Sequence, residues 1–281
     1  MVFKMEETTR TDYHKLMRRT NEEWAAAIRE KIASVLNDDT ERLLPSDPIL
    51  SPDDPRLPLA IDHTLLTPDA TSAQIDRLCK EAVECRFKVC LYFFLWCVFL
   101  TERWQACCVN GANVAQVFKH MADCNSNTLV CCVVGFPLGA GAIKAKSYEA
   151  TQAIADGARE IDMVINLGAL KSSDFATVYL DIDSVVQACH PYPVKVIIET
   201  SFLTTEEKIV ACFIAAEAGA AWVKTCTGFS GKAGATPEDV GLMYRSVRYT
   251  GGRVKVKASG GIRSFEQAQR LLTAGADRLG T

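Results

Sequence analysis

From Leu57 onward the chain alternates between short apolar, β-branched runs and longer segments with apolar residues at helical spacing. The strand-like runs are Leu57–Ile61, Lys88–Leu91, Thr128–Val134, Glu160–Ile165, Val194–Ile198, Ala221–Lys224, Arg253–Ala258 and Arg278–Leu279. Between them, helical periodicity predicts Ser72–Glu84, Ala142–Asp156, Ser173–Cys189, Thr204–Ala218, Pro237–Val247 and Ser264–Thr273. Gly157, Gly219 and Gly275 sit at helix ends, where glycine supplies a left-handed stop without strain. Regular alternation of strand and helix implies a parallel sheet. Eight strand-like runs over about 225 residues fit a closed (β/α)8 TIM barrel better than an open sheet. No Gly-x-Gly-x-x-Gly opens the first strand–helix unit, which argues against a dinucleotide-binding fold.

Residues 1–56 follow a different pattern. Asn21 is placed to cap a helix from Glu22 to about Leu36, with Trp24, Ile28, Ile32 and Val35 on one face. One helix cannot bury its own apolar stripe, so it is expected to cover barrel surface or form a subunit contact. Pro45, Pro48, Pro52, Pro55 and Pro58 then predict a stiff, extended linker. The expected organisation is an N-terminal extension over 1–56 and a barrel over 57–281. The chain ends at Leu279-Gly280-Thr281, so a barrel here is expected to be C-terminally truncated, without a helix after its eighth strand.

Composition narrows the class. The chain has 281 residues, 48% of them hydrophobic, and a net charge of -3, as in a soluble globular protein without a basic field for nucleic acid. The run Val89–Leu100 is apolar throughout but too short to span a bilayer, and reads as a buried strand entering a core helix. The first residues lack the apolar core of a signal peptide. Twelve cysteines without a Cys-x-x-Cys, and four histidines not spaced with them, suggest reduced thiols in a cytosolic protein and no metal site.

Candidate chemistry lies at the C-terminal ends of the strands, where barrels of this kind place their working residues. That filter selects Asp62, Cys90, Gly135, Asp162, Asn166, Glu199, Lys224 and Lys257. Lys224 ends the apolar run Ala220–Lys224, and Lys257 ends Arg253–Lys257. Burial disfavours an ammonium, and a second cation nearby disfavours it further, so two lysines on neighbouring strand ends suit Schiff-base chemistry. Asp162 lies within an apolar run, where a carboxylate needs a partner. Lys257 or Lys224 is that partner, either in a structural ion pair or in a proton relay, and Glu160 on the same strand face is the rival carboxylate. Lys255 shares a face with Lys257 and lies either deeper with a carboxylate or exposed by strand twist. Glycine-rich stretches follow both lysines, at Thr225–Gly231 and Ser259–Ser264. Backbone N–H groups at a helix start attract phosphate, and glycine lets the anion approach.

These segments together resemble deoxyribose-phosphate aldolase, a class I aldolase family with a (β/α)8 barrel. The resemblance rests on Ile61–Leu66, Val133–Gly139, Glu160–Asn166, Trp222–Thr225 and Val256–Arg263, in the family's order across most of 57–281. It implies Lys224 as the Schiff-base lysine, Lys257 as the second lysine that tunes it, and Asp162 as the acid/base carboxylate. It further implies Asp62, Thr64, Cys90 and Thr225 around the substrate, and Gly228, Gly260, Gly261, Arg263 and Gly280 around its phosphate. The implied reaction is reversible cleavage of 2-deoxy-D-ribose 5-phosphate, with no metal or organic cofactor. The expected partners are a phosphorylated sugar and an aldehyde rather than nucleic acid or membrane, with a homodimer one candidate assembly. The sequence departs from the family in three places: Leu91–Trp96 follows Cys90 instead of a Val-Asn-Pro-like turn, Phe229 follows Gly228, and the chain stops at Thr281. These departures frame the alternative of an inactive or weakly active barrel homologue acting as a binding or structural protein.

Overall fold

The computed structural model describes residues 19–38, 49, 51–90 and 106–281, and the side chains of all of these except 85–90. Eight parallel strands close into a barrel: β1 (Ile61–Leu65), β2 (Ala106–Val109), β3 (Leu129–Val134), β4 (Glu160–Val164), β5 (Val194–Ile197), β6 (Trp222–Lys224), β7 (Lys255–Ser259) and β8 (Arg278–Gly280). β8 pairs with β7 on one side and with β1 on the other, which completes the ring. The connecting helices are α2 (Ser72–Cys90), α3 (Val114–Asp123), α4 (Ile143–Ala155), α5 (Leu167–Lys171), α6 (Phe175–Cys189), α7 (Thr205–Glu217), α8 (Pro237–Val247) and α9 (Phe265–Ala274).

Strand alternation divides the core in two. Outward residues such as Val130, Cys132, Ile161, Met163, Val196 and Val256 pack under the helices in one large apolar layer. Inward residues of β2 and β3 (Ala106, Cys108, Cys131 and Val133) form a small apolar cluster with Leu66. The other strands turn charged residues inward: Asp62, Glu160, Asp162, Lys195, Lys224, Lys257 and Arg278 are all buried. Barrels of this class usually fill the interior with branched apolar side chains, so a charged interior marks a site and not a packing solution.

Two strand expectations are corrected. Lys88–Leu91 is not the second strand: residues through Cys90 continue α2, and β2 is Ala106–Val109, paired with β1 and β3. The long apolar run at Val89–Leu100 gives a stronger strand signal in the sequence than Ala106–Val109, which has only four residues and carries two cysteines. Residues 91–105 lie outside the described residues, and with them most of that run. The first strand is also displaced. Pro58–Ala60 is a short 3-10 turn, and the strand runs instead over Ile61–Leu65, through Asp62-His63-Thr64. Its alternation is inverted relative to a surface strand: Asp62 points into the charged interior, and His63 points outward to Glu81 of α2 at 2.8 Å. The helix α3 lacked a recognised pattern in the sequence.

Preceding the barrel, α1 (Asn21–Leu36) lies across α6, α7 and α8. Thr20, not Asn21, is its cap, in a reciprocal capping box with Glu23; Asn21 instead bonds Asp174 and the N–H of Ala176. Trp24 is 2% exposed and packs on the rings of Tyr179 and Phe213, with centroids 5.4 and 5.9 Å away. Ile32 and Val35 meet Ile209 and Leu242. The expected apolar face is the buried face. Of the prolines assigned to the linker, Pro45 and Pro48 lie outside the described residues.

Candidate active site

Lys224 and Lys257 are opposite each other in the β6–β7 register. Their ammonium nitrogens lie 2.8 and 2.9 Å from the same atom, Oδ2 of Asp162 on β4. The other carboxylate oxygen, Oδ1, accepts from Lys195 Nζ at 2.7 Å and from the Cys131 thiol at 3.1 Å. Asp162 is thus held by three lysines, and both halves of the open question about its partner are answered: it meets Lys224 and Lys257 together.

Glu160 sits one layer deeper. It accepts from Lys195 at 2.6 Å and from Arg278 at 2.8 Å, and these, rather than Lys224 or Lys257, are its ion-pair partners among the described residues. The rival carboxylate therefore supports the floor of the site. Asp62 bonds Lys257 and Arg278, with Arg278 Nη1 at 3.2 Å. Lys255 is half-buried at the base of β7, paired in register with Trp222, and its ammonium lies 5.6 Å from that ring's centre, one layer below Lys257. Neither Lys195 nor Arg278 was singled out from the sequence. The signal was present in Val194-Lys195-Val196, a lysine in a buried strand, but the strand-end filter excluded it.

Charge explains the cohesion of the cluster. Burial pushes the Asp162 carboxyl upward, but Lys195, Lys224 and Lys257 outweigh it and hold Asp162 well below the usual carboxylate range. Asp62 is likewise held low by Lys257, Arg278 and Lys195 against the cost of its burial. In return, the carboxylates raise Lys195 and Lys257 above the ordinary lysine value, although burial alone would lower both. Among the described residues, four cations face three carboxylates in this interior. Release of one proton from an amine brings the cluster to electrical balance.

The other implied residues fall in different places. Thr64 is half-buried at the end of β1, with its hydroxyl on the Asp62 carbonyl at 2.8 Å. Thr225 is buried and clamps β6 to β7, donating to Ser259 O and accepting from Ser259 N, both at 2.9 Å. Cys90 ends α2 and does not occupy the second strand; Cys108 takes that inward position, and Val109-Asn110-Gly111 follows it. The Val-Asn turn that the sequence reading found missing after Cys90 therefore stands after Cys108.

Gly228, Gly260 and Gly261 have φ of +84°, +97° and +75° at the barrel mouth. Gly234, which sequence reasoning missed, closes on them: a Cβ there would lie 2.0 Å from Gly260 O. Arg263 is exposed just before α9. Gly280 is buried inside the barrel, where a Cβ would meet Lys257 Cε at 3.1 Å. Phe229 packs edge-on against Phe136, 5.1 Å between centroids, above the site. Cys108, Cys131 and Asp162 could offer ligand atoms within 4.8 Å of one another. A cation would enter there against three ammonium groups on Asp162, so the donor set does not suit a metal.

The family model for DeoC/LacD family aldolases matches residues 57–278. The chain belongs to the DeoC/LacD aldolase family. A protein from Carboxydothermus hydrogenoformans named deoxyribose-phosphate aldolase is 50% identical over 225 residues, covering 79% of this chain and 89% of that one. Another of that name from Brevibacillus brevis is 49% identical over 221 residues, covering 79% of this chain and 90% of its own. Among solved structures, a protein from Coccidioides immitis described as a putative deoxyribose-phosphate aldolase has a TM-score of 0.78 at 36% identity and covers 94% of both chains. This DeoC/LacD family member contains no helix, among its described residues, long and apolar enough to cross a membrane.

Proposed function

We propose that the chain is a class I deoxyribose-phosphate aldolase, cleaving 2-deoxy-D-ribose 5-phosphate reversibly to D-glyceraldehyde 3-phosphate and acetaldehyde. One observation carries this reading: Lys224 and Lys257 share a single carboxylate oxygen, Asp162 Oδ2, inside the barrel. The neutral amine of Lys224 adds to the C1 carbonyl, and loss of water leaves an iminium. That cation draws the electrons of the C2–C3 bond as the C3 hydroxyl loses its proton, and glyceraldehyde 3-phosphate departs. The remaining enamine takes a proton at C2, and water then releases acetaldehyde and the amine. The cycle closes without an organic cofactor.

Asp162 Oδ2 touches both amines, so it is the shortest route for a proton between Lys224 and Lys257. Because three lysines keep it strongly acidic, Asp162 serves mainly as a fixed counter-charge for the iminium and carries a proton only in passage. Asp62 orients Lys257 and is retained as a substrate-binding residue beside it. Thr64 on β1 and Thr225 after β6 complete the substrate-binding set, with Cys108 on β2 in the place assigned to Cys90. Gly228, Gly260, Gly261, Arg263 and Gly280 surround the phosphate. The catalytic unit is 57–281, and residues 1–56 form an extension whose described helix, α1, lies on its outer wall. A cytoplasmic location and a homodimer complete the reading. The intact lysine pair leaves the inactive-homologue alternative without an observation in its favour.

The test is a retro-aldol assay on purified protein with 2-deoxyribose 5-phosphate. Glyceraldehyde 3-phosphate and acetaldehyde should appear in equal amounts, and Lys224→Ala should produce neither. A folded wild-type protein that releases no aldehyde would overturn the assignment.

A further inference from the structure

Glu199 concentrates two local costs at one residue. Its backbone is left-handed, with φ +55° and ψ +64°, in a residue type that rarely adopts that region. Its side chain is only 2% exposed, and Oε1 has no hydrogen-bond partner among the described residues. The other oxygen, Oε2, accepts the N–H of Thr227 at 3.0 Å. Thr227 lies in the loop between Lys224 and Gly228.

The kink at Glu199 places the end of β5 in register with that loop at successive levels. Thr200 N bonds Thr225 O at 3.0 Å, and Thr200 Oγ1 lies 3.4 Å from Cys226 Sγ. Ser201 and Ser230 hydroxyls meet at 3.4 Å, and Lys232 Nζ sits 3.9 Å from the Phe202 ring centre. Glu199 adds a buried contact to this seam. Thr227 Oγ1 in turn accepts the N–H of Phe229 at 3.1 Å. The N–H groups on both sides of Gly228 are therefore tied inward, and the exposed Gly228 is left as the apex of the loop.

We propose that Glu199 is a positioning residue for the phosphorylated end of the substrate: by holding Thr227 it sets the loop so that Gly228 faces the phosphate. This rests on the aldolase reading above. It assigns Glu199 no part in bond breaking. Its carboxyl lies on the buried side of the loop, opposite the exposed apex, so it shapes the anion site without standing in it.

The test compares 2-deoxyribose 5-phosphate with unphosphorylated 2-deoxyribose in Glu199→Ala, Glu199→Gly and Glu199→Gln. Loss of one buried hydrogen bond that fixes the loop should raise KM for the phosphorylated sugar about tenfold in the Ala and Gly variants. Their kcat, and their rate on the unphosphorylated sugar, should stay within about twofold of wild type. Glu199→Gln keeps a carbonyl acceptor for Thr227 N–H and should restore most of the KM. Glycine tolerates the left-handed backbone, so Glu199→Gly keeps the test available if the alanine variant fails to fold. Equal losses on both sugars, an unchanged KM, or recovery by Glu199→Gly would overturn the proposal. Wild type serves as the separate control: if it forms no borohydride-stable adduct with acetaldehyde, the aldolase reading fails and this proposal with it, whereas an adduct without the KM change in the variants overturns this proposal alone.

Discussion

Lys195 shows how the charge of a single buried side chain is divided. It donates to Asp162 at 2.7 Å and to Glu160 at 2.6 Å, with no exposure to solvent. Removing one member of a buried ionic cluster strands its partners, so Lys195→Met should cost about 3–5 kcal/mol of stability, read from chemical denaturation. The double variant Lys195→Met, Glu160→Gln removes one charge of each sign and should recover part of that loss; no recovery would mean the two residues act independently. The same cluster sets a pH window. Asp62 and Asp162 are depressed in the folded state, so their stabilisation is present above the unfolded carboxylate value of about 3.9 and is lost as pH falls further. Lys195 and Lys257 are raised, so theirs is complete below about 10.4 and is lost as pH climbs beyond it. Melting temperature should therefore fall at both ends of that window, and a midpoint unchanged down to pH ~3 would contradict the cluster as drawn. At the mouth, Gly234→Ala would put a methyl 2.0 Å from Gly260 O. It should raise KM for the phosphorylated sugar at least about tenfold, because backbone cannot yield as a side-chain tip does.

Elements were legible where their period was long and clean. The spans of α8, α6 and α7 follow directly from helical spacing and from caps at Thr236, Asp174 and Thr204. Positive φ at Gly157, Gly219 and Gly275 bears out the glycine stops. β2 was not legible, because a four-residue strand competes poorly with the longer apolar run at Val89–Leu100. β1 was shifted because its inward residues are polar, which inverts the usual hydrophobic signal. The site shows the same division. Lys224 and Asp162 stand out because they end or interrupt an apolar run, and Lys257 because it ends a β-type run just before a glycine pair. Lys195, Arg278 and Gly234 were missed because their roles depend on which strands and loops become neighbours, which no local pattern records. The helix α1 tests the outer wall independently of the chemistry. Trp24→Ala empties a buried site between Tyr179 and Phe213 and should cost about 3–5 kcal/mol, while kcat stays unchanged. A parallel loss of kcat would mean that the helix reaches the mouth of the barrel.

For the molecule as a whole, the barrel gives the reaction a dry floor and a wet rim. The apolar layer outside the strands supports the ring, strand register sets Lys224 beside Lys257, and Asp162 draws their amines to one oxygen. The interior then divides into an apolar half on β2 and β3 and a charged half running from β4 round to β1. The likeness to the Coccidioides immitis structure spans 94% of the chain, more than 57–281 alone could fill, so part of the N-terminal extension has a counterpart there. What the whole account rests on is which amine becomes covalent. Purified protein treated with acetaldehyde and borohydride, then digested and mapped by mass spectrometry, should carry one ethyl group on Lys224. Modification of Lys257 or Lys195 in its place, or turnover with no trapped adduct at all, would contradict it.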